Sequence, residues 1–276
     1  MAFFDELRRH GIVQGHNLEV MGFSIAPNGL ESAAADMVKA GVDVIVCGGT
    51  GPTRAAQNAT TSIPILTALD DFVGQKFASS ISRPGGNVTG VSIFGPELNG
   101  KRQQLLLDLV PGILRIAALA DPASTPMPEV EQLQKAAQER GVSLTLCAAD
   151  KREEIVPAIS VAWAAQAQAI NVLASQLFNV NRGEILKEIG NARLPAIYQW
   201  PEWCQEGGLA AYGPRFTTVY RQLARQVAKI LRGASPADLP VEQPMKFEFV
   251  INLNTAKAIG LEVPLSILAN ADEVIE

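Results

Sequence analysis

The sequence predicts an α/β protein built from two similar Rossmann-like lobes, each a parallel sheet with flanking helices. Three observations predict it. Short β-rich runs alternate with helical patterns, the signature of parallel βαβ units. The alternation occurs twice, once within the first ~95 residues, close to the size of one small domain, and again after them. The totals permit two buried cores: 276 residues, 47% hydrophobic and 18% charged, describe a globular chain rather than a disordered one.

The elements follow in order. MAFFDELRRHG reads as an amphipathic helix ending at Gly11. Leu18–Phe23 reads as a strand. Leu30–Ala40 reads as a helix, with Leu30, Ala33, Ala34, Met37 and Val38 on one face and Gly41 closing it. VDVIVCGG is a buried strand and Thr53–Thr60 the helix after it. IPILTAL is the next strand, DDFVGQKFASSIS the next helix, and RPGGNVTGVSI a turn into a strand. The second series opens with a helix over Glu97–Val110, then RIAALAD as a strand. Glu129–Arg140 is a helix capped by Gly141, and VSLTLCAAD a strand. Glu153–Ala167 is a helix and AINVLAS a strand; Asn181–Ala192 is a helix, with PAIYQW and GGLAAYG as strands. A long helix, Thr217–Arg232, precedes the proline-studded ASPADLPVEQP. KFEFVINLN then alternates as a strand, TAKAIG is a short helix, and an acidic tail follows. The chain opens on a helix where a doubly wound lobe opens on a strand, which leaves a gap in the first sheet.

Several function classes are disfavoured. The net charge of −5 and pI near 5.2 give no reason to expect nucleic acid or an anionic membrane as partner. Cys47, Cys147 and Cys204 are scattered, with no CxxC pair, so neither a disulfide framework nor a zinc site is suggested. His10 and His16 have no acidic or cysteine cluster beside them, so no metal site is expected. No cofactor is expected, and no nucleophile–base pair suggests an enzyme. GGTGPT lacks the lysine and spacing of a phosphate loop and the GxGxxG pattern, so a nucleotide is a poor fit. No run approaches the ~18–20 apolar residues of a membrane span, and no signal peptide opens the chain.

Longer stretches carry a resemblance. The GGT loop with its helix and SIPIL, then SRPGGNVTGVS and GPELNGKRQQLLLDLVPG, occur in that order. EGGLAAYGP, ILRGASPADLPVEQPMKFEFVINLNTAKAIGL and VPLSILANADEVIE follow. Together, over almost the whole chain, they resemble the substrate-binding proteins of ABC transporters, the family with tryptophan- and tyrosine-binding members. The resemblance implies a type I periplasmic-binding-protein fold, with two lobes joined by three crossovers and a solute trapped in the cleft between them. The crossovers would fall near Gly90–Gly95, Tyr212–Gly213 and Met245–Phe249. The lobes would be residues 1–92 with 214–245, and 93–213 with 246–276. It further implies an ABC permease as partner, a small-molecule solute and a periplasmic location; a cytoplasmic one would follow if this start is genuine. Relatives open with a signal peptide, a strand and a ligand-contacting loop that are not seen here. A neighbouring copy donating a strand would fill the gap, so a homodimer through the incomplete first lobe is one expectation. A small-molecule sensor of the same fold, not coupled to transport, is the alternative reading.

Ligands of open α/β sheets bind beyond the C-terminal strand ends, which nominates the residues there. Gly49, Thr50, Gly51 and Thr53 would aim amides and a hydroxyl at a carboxylate, or form a plain tight turn. Asp70 would pair with an ammonium and Asp71 cap the next helix. In the second lobe the candidates are Ser124 and Thr125, then Ser175, Gln176 and Phe178, then Gln199 and Trp200. Trp200 either stacks on a flat solute or packs in the core. Tyr212 at the second crossover either donates its hydroxyl or packs. An amino acid, aromatic for preference, is the first expectation, and an aromatic or small carboxylate follows.

Overall fold

The computed structural model describes residues 2–22, 29–93 and 95–276. The chain divides into two compact units, Met1–Phe94 with Phe216–Met245 (unit 1) and Gly95–Arg215 with Lys246–Glu276 (unit 2). Three passages therefore join them. In chain order the first elements are α1 (Ala2–Arg9), α2 (Gly29–Ala40), β1 (Ile45–Gly48), α3 (Thr50–Ala59), β2 (Ile65–Leu69) and β3 (Val88–Ser92). Next come α4 (Gly95–Leu109), β4 (Arg115–Ala120), α5 (Met127–Glu139), β5 (Ser143–Ala148), α6 (Arg152–Ala164) and β6 (Ala169–Val172). The remainder of the second series is α7 (Gln176–Val180), α8 (Arg182–Asn191), β7 (Ala196–Tyr198), α9 (Glu202–Gln205) and β8 (Ala210–Gly213). Last are α10 (Phe216–Ile230), β9 (Glu248–Asn252), α11 (Leu253–Ile259), α12 (Leu265–Leu268) and β10 (Glu273–Ile275).

Unit 1 holds a parallel sheet in the order β1-β2-β3, with Ile45 beside Ile65 and Ile65 beside Val88. Its core joins Ile45, Ile65, Leu69, Phe72, Phe77 and Val88 with Val241. Each such apolar side chain taken from water stabilises the fold by about 1.5–3 kcal/mol. Helix α10 returns to this unit and turns Val219, Leu223, Val227 and Ile230 inward at helical spacing. It packs against α1, where Leu7 is buried. The pairing is reinforced by Arg225 Nη1 to Glu6 Oε1 at 3.4 Å and by Arg232 Nη2 donating to the His10 carbonyl at 2.7 Å. The segment after α10 lies along β3, where Ser92 N donates to Glu242 O and Glu242 N to Gly90 O, both at 2.8 Å.

Two expected elements differ in unit 1. Residues 18–22 form no strand; Leu18 makes only an isolated bridge to Gln14, and Phe23 lies outside the described residues. A strand persists only when a neighbour satisfies its backbone groups. None pairs with this segment, or with the outer side of β1, among the described residues. DDFVGQKFASSIS forms turns rather than a helix. Asp71 accepts from Gly74 N at 2.7 Å, Lys76 takes φ 59°, and buried Phe72 and Phe77 pin both ends of the turn. Tertiary anchoring of the two rings overrides a helical pattern that carries a glycine in its middle.

Unit 2 holds a seven-stranded sheet in the order β10-β9-β8-β7-β6-β4-β5, parallel except where β9 runs against β8. Strands β4 and β6 are buried on both faces, which is why RIAALA and AINV read as apolar runs rather than alternations. Leu106, Leu109, Ile116, Ile197, Phe249 and Ile251 belong to the core beneath them. The expected helix over Asn181–Ala192 forms as α8, capped at Asn181 and Ala192, and the short α7 precedes it where no helix was expected. Where the chain leaves and re-enters unit 2, Arg215 is an ionic staple. Its Nε lies 2.7 Å from Glu248 Oε2 and its Nη2 contacts Glu273, while Lys246 Nζ lies 2.9 Å from Glu248 Oε1. Burial alone would raise the Glu248 carboxyl, but the hydrogen bonds and charges of Lys246 and Arg215 hold it below its ordinary value.

Candidate functional site

In unit 2 the connections leave β4 in opposite directions, since β5 lies on one side of it and β6 on the other. The C-terminal ends of β4 and β6 therefore border a topological switch point, the usual binding crevice of an open α/β sheet. Asp121 stands at the end of β4 and organises it. Its Oδ1 accepts from Ala123 N at 2.9 Å, and its Oδ2 accepts from Ser124 Oγ at 2.9 Å and Ser175 Oγ at 2.6 Å. Ser175 Oγ in turn accepts from Leu177 N at 3.0 Å, capping α7. Both serine protons are thus committed to Asp121, leaving these hydroxyls as acceptors towards any solute.

Thr125 and Gln199 differ from them. They are 4% and 5% exposed, and Thr125 Oγ1 and Gln199 Nε2 have no hydrogen-bond partner among the described residues. Gln199 sits at the end of β7, and the neighbouring strand is pressed against it. A Cβ on Gly213 would lie 2.0 Å from the Gln199 carbonyl oxygen, so only glycine lets β8 approach this closely. Phe178 and Trp200 are buried nearby in sequence to the strand ends, Gln176 is exposed, and half-buried Tyr212 has its ring 6.3 Å from that of Phe247. The rings of Tyr198 and Trp203 lie 4.9 Å apart, tilted by 34°.

In unit 1 the corresponding end of β1 is Gly48-Gly49, and α3 starts at Thr50, three residues earlier than expected. Gly49 caps it with φ 79°, a conformation that suits glycine. The first turn carries no acidic residue, and Pro52 has no N–H. The amides of Thr50 and Gly51 are therefore the helix-terminal donors that an anion would meet. Thr53 is fully buried and holds the loop instead. Its hydroxyl donates to Gly49 O at 2.7 Å and lies 2.8 Å from Thr67 Oγ1 and 3.5 Å from Cys47 Sγ. Asp70 is half-buried at the end of β2, its carbonyl accepting from Ser92 Oγ at 2.7 Å. A groove of about 570 Å³ lined by Ile12, Asn17, Asp43, Pro64 and residues 230–234 lies elsewhere in unit 1, at the opposite ends of β1 and β2.

The sequence reading missed a polar cluster beneath the unit 2 strand ends. Arg102, Asn99, Asn171 and Glu129 are all buried, Arg102 completely. Arg102 Nη1 donates to the Tyr212 carbonyl at 3.0 Å and Nη2 to Asn99 Oδ1. Asn99 Nδ2 donates to Glu129 Oε1, and Asn171 Nδ2 to the Asn99 carbonyl at 3.2 Å. A signal existed: Asn99, Arg102, Gln103 and Leu106 occupy i, i+3, i+4 and i+7, the core-facing stripe of α4, where apolar residues are the rule.

None of the thiols is activated. Burial pushes Cys147 up to about 11 and raises Cys47 and Cys204 as well. Among the described residues no group of three or more His, Cys, Asp or Glu could hold a metal. No helix among them is long and apolar enough to cross a membrane.

The family description "ABC transporter substrate binding protein" matches residues 2–275, and the chain belongs to that family. A tyrosine-binding protein of Clostridioides difficile (strain R20291) is 25% identical over 266 residues, 95% of this chain and 76% of that protein. A conserved domain protein of Vibrio cholerae superposes with TM-score 0.88 at 26% identity, over 99% of this chain and 93% of that one. An ABC domain from Streptococcus pneumonia, crystallised with L-Trp, superposes with TM-score 0.87 at 24% identity over the same shares, 99% and 93%. The architecture is that of the type I periplasmic binding proteins.

Proposed function

We propose that this protein captures an aromatic α-amino acid, L-tyrosine or L-tryptophan, and delivers it to the permease of an ABC importer outside the cytoplasm. The observation that carries the reading is the pair of buried, unpartnered atoms Thr125 Oγ1 and Gln199 Nε2 beside the Asp121–Ser175 turn. Buried polar groups are costly unless something bonds them, and at a switch point that something is a solute. In this reading the polar groups of unit 2 take one end of the ligand, with Phe178 and Trp200 supplying its apolar wall. Within unit 1, the Thr50 and Gly51 amides are donors suited to an anion and Asp70 is a carboxylate suited to a cation. Supporting the choice of solute, one relative binds tyrosine and one similar structure holds L-Trp.

Titration calorimetry against the standard L-amino acids tests it. Saturable binding of L-tyrosine or L-tryptophan, with the added ligand recovered unchanged, is expected. Binding of another solute with none to either aromatic amino acid would overturn the choice of ligand. Consumption of the ligand would overturn the binding role itself.

A further inference from the structure

We infer that Arg102, acting through Asn99, is a positioning residue for solute binding, fixing the β6 strand-end turn and the exit strand β8 in one arrangement. The inference rests on the solute-binding reading above and concerns buried residues of α4. Arg102 is a completely buried cation on α4. Its two Nη atoms point to different elements: Nη1 donates to the carbonyl of Tyr212 on β8, and Nη2 to Asn99 Oδ1. Asn99 relays the contact. Its Oδ1 also accepts from Ala174 N at 3.3 Å, and its carbonyl accepts from Asn171 Nδ2 at 3.2 Å. Ala174 directly precedes Ser175, whose hydroxyl bonds Asp121 and caps α7. Tyr212 lies three residues before the chain leaves unit 2 at Arg215.

One planar guanidinium thus connects the turn that carries Ser175 to the strand that leads out of the unit. A lysine cannot do this, since its single ammonium lacks the fork that reaches two acceptors in one plane. The cluster is costly to assemble for stability alone, because burying a charge is repaid only by complete satisfaction. Glu129, bonded to Asn99 Nδ2, supplies the opposite charge within the same cluster.

Three proteins separate the possibilities: wild type, Arg102→Lys, and the double variant Arg102→Gln/Glu129→Gln, which removes both charges so that neither is left buried alone. Two quantities are read on each folded protein, hydrogen exchange at the Ala174 amide and the Kd for L-tyrosine and L-tryptophan. Both variants are expected to exchange Ala174 about tenfold faster and to bind about tenfold more weakly, with strands β4 and β5 still protected. A variant with a lowered Tm but wild-type Ala174 exchange and wild-type Kd would reduce Arg102 to a structural residue and overturn the inference. Where wild type binds neither amino acid, the ligand reading fails, and Ala174 exchange alone decides the role of Arg102. Should Arg102→Lys not fold, the double variant decides.

Discussion

Thr125 and Trp200 are both buried at strand ends, yet they test the site very differently. Trp200→Ala removes a large ring and leaves a cavity that costs about 3–5 kcal/mol, so lost affinity would be mixed with lost stability. Thr125→Val keeps the shape and deletes a hydroxyl that bonds no protein group among the described residues. The valine variant is expected to keep its thermal midpoint while its Kd for L-tyrosine rises up to about tenfold, the worth of one neutral hydrogen bond. Calorimetry beside a melting curve reads both; unchanged affinity would remove Thr125 from the site. Gly213 stands at the other extreme. With 2.0 Å between its would-be Cβ and the Gln199 carbonyl, Gly213→Ala must push β8 away from β7. A loss of about 1–3 kcal/mol in urea unfolding is expected, as for other overpacked sites.

At the scale of elements, the pairing of α1 with α10 and the staple at the exits of unit 2 make separate predictions. Leu7 is buried between α1 and the rest of unit 1, so Leu7→Ala should cost about 2–5 kcal/mol by denaturant titration. The staple depends on pH. Glu248 has its folded carboxyl held below the ordinary value by Lys246 and Arg215, against the opposing effect of burial. Such a group adds stability above its unfolded value, near 4.3, and that stability is lost as pH falls through the lower folded value. Glu248→Gln should therefore flatten the acid side of a Tm-against-pH curve below about pH 4.5 and change little near neutrality. Equal acid sensitivity in both proteins would assign the acid limb to other carboxylates. Helices and strands were largely legible in sequence at this scale because their period is local. That residues 18–22 form no strand and the segment after Asp70 no helix was not legible, since a strand needs a pairing partner and the helical pattern yields to the anchoring of Phe72 and Phe77.

For the whole molecule, binding to the native state alone raises stability by mass action. L-Tyrosine at a hundredfold its Kd should add about 2.7 kcal/mol to the unfolding free energy, read as a concentration-dependent rise in Tm. A Tm independent of L-tyrosine and of L-tryptophan would contradict the aromatic assignment.

The α/β class, the double series of βαβ units and the family resemblance were determined by the sequence itself, through local periodicity, turn residues and ordered motifs. Which residues follow each strand was legible for the same reason: loops after apolar runs can be counted along the chain. Tertiary structure alone decided which polar groups are spent and which are free. Thr53, Ser124 and Ser175 have hydroxyls bonded within the protein, whereas Thr125 and Gln199 keep polar atoms without a partner among the described residues. It also decided that Arg102, which reads as one more helix charge, is a buried link between Asn99 and Tyr212. Hydrogen-bond satisfaction is a property of neighbours brought together from distant positions, and burial sets its energetic weight, so neither can be read from local pattern.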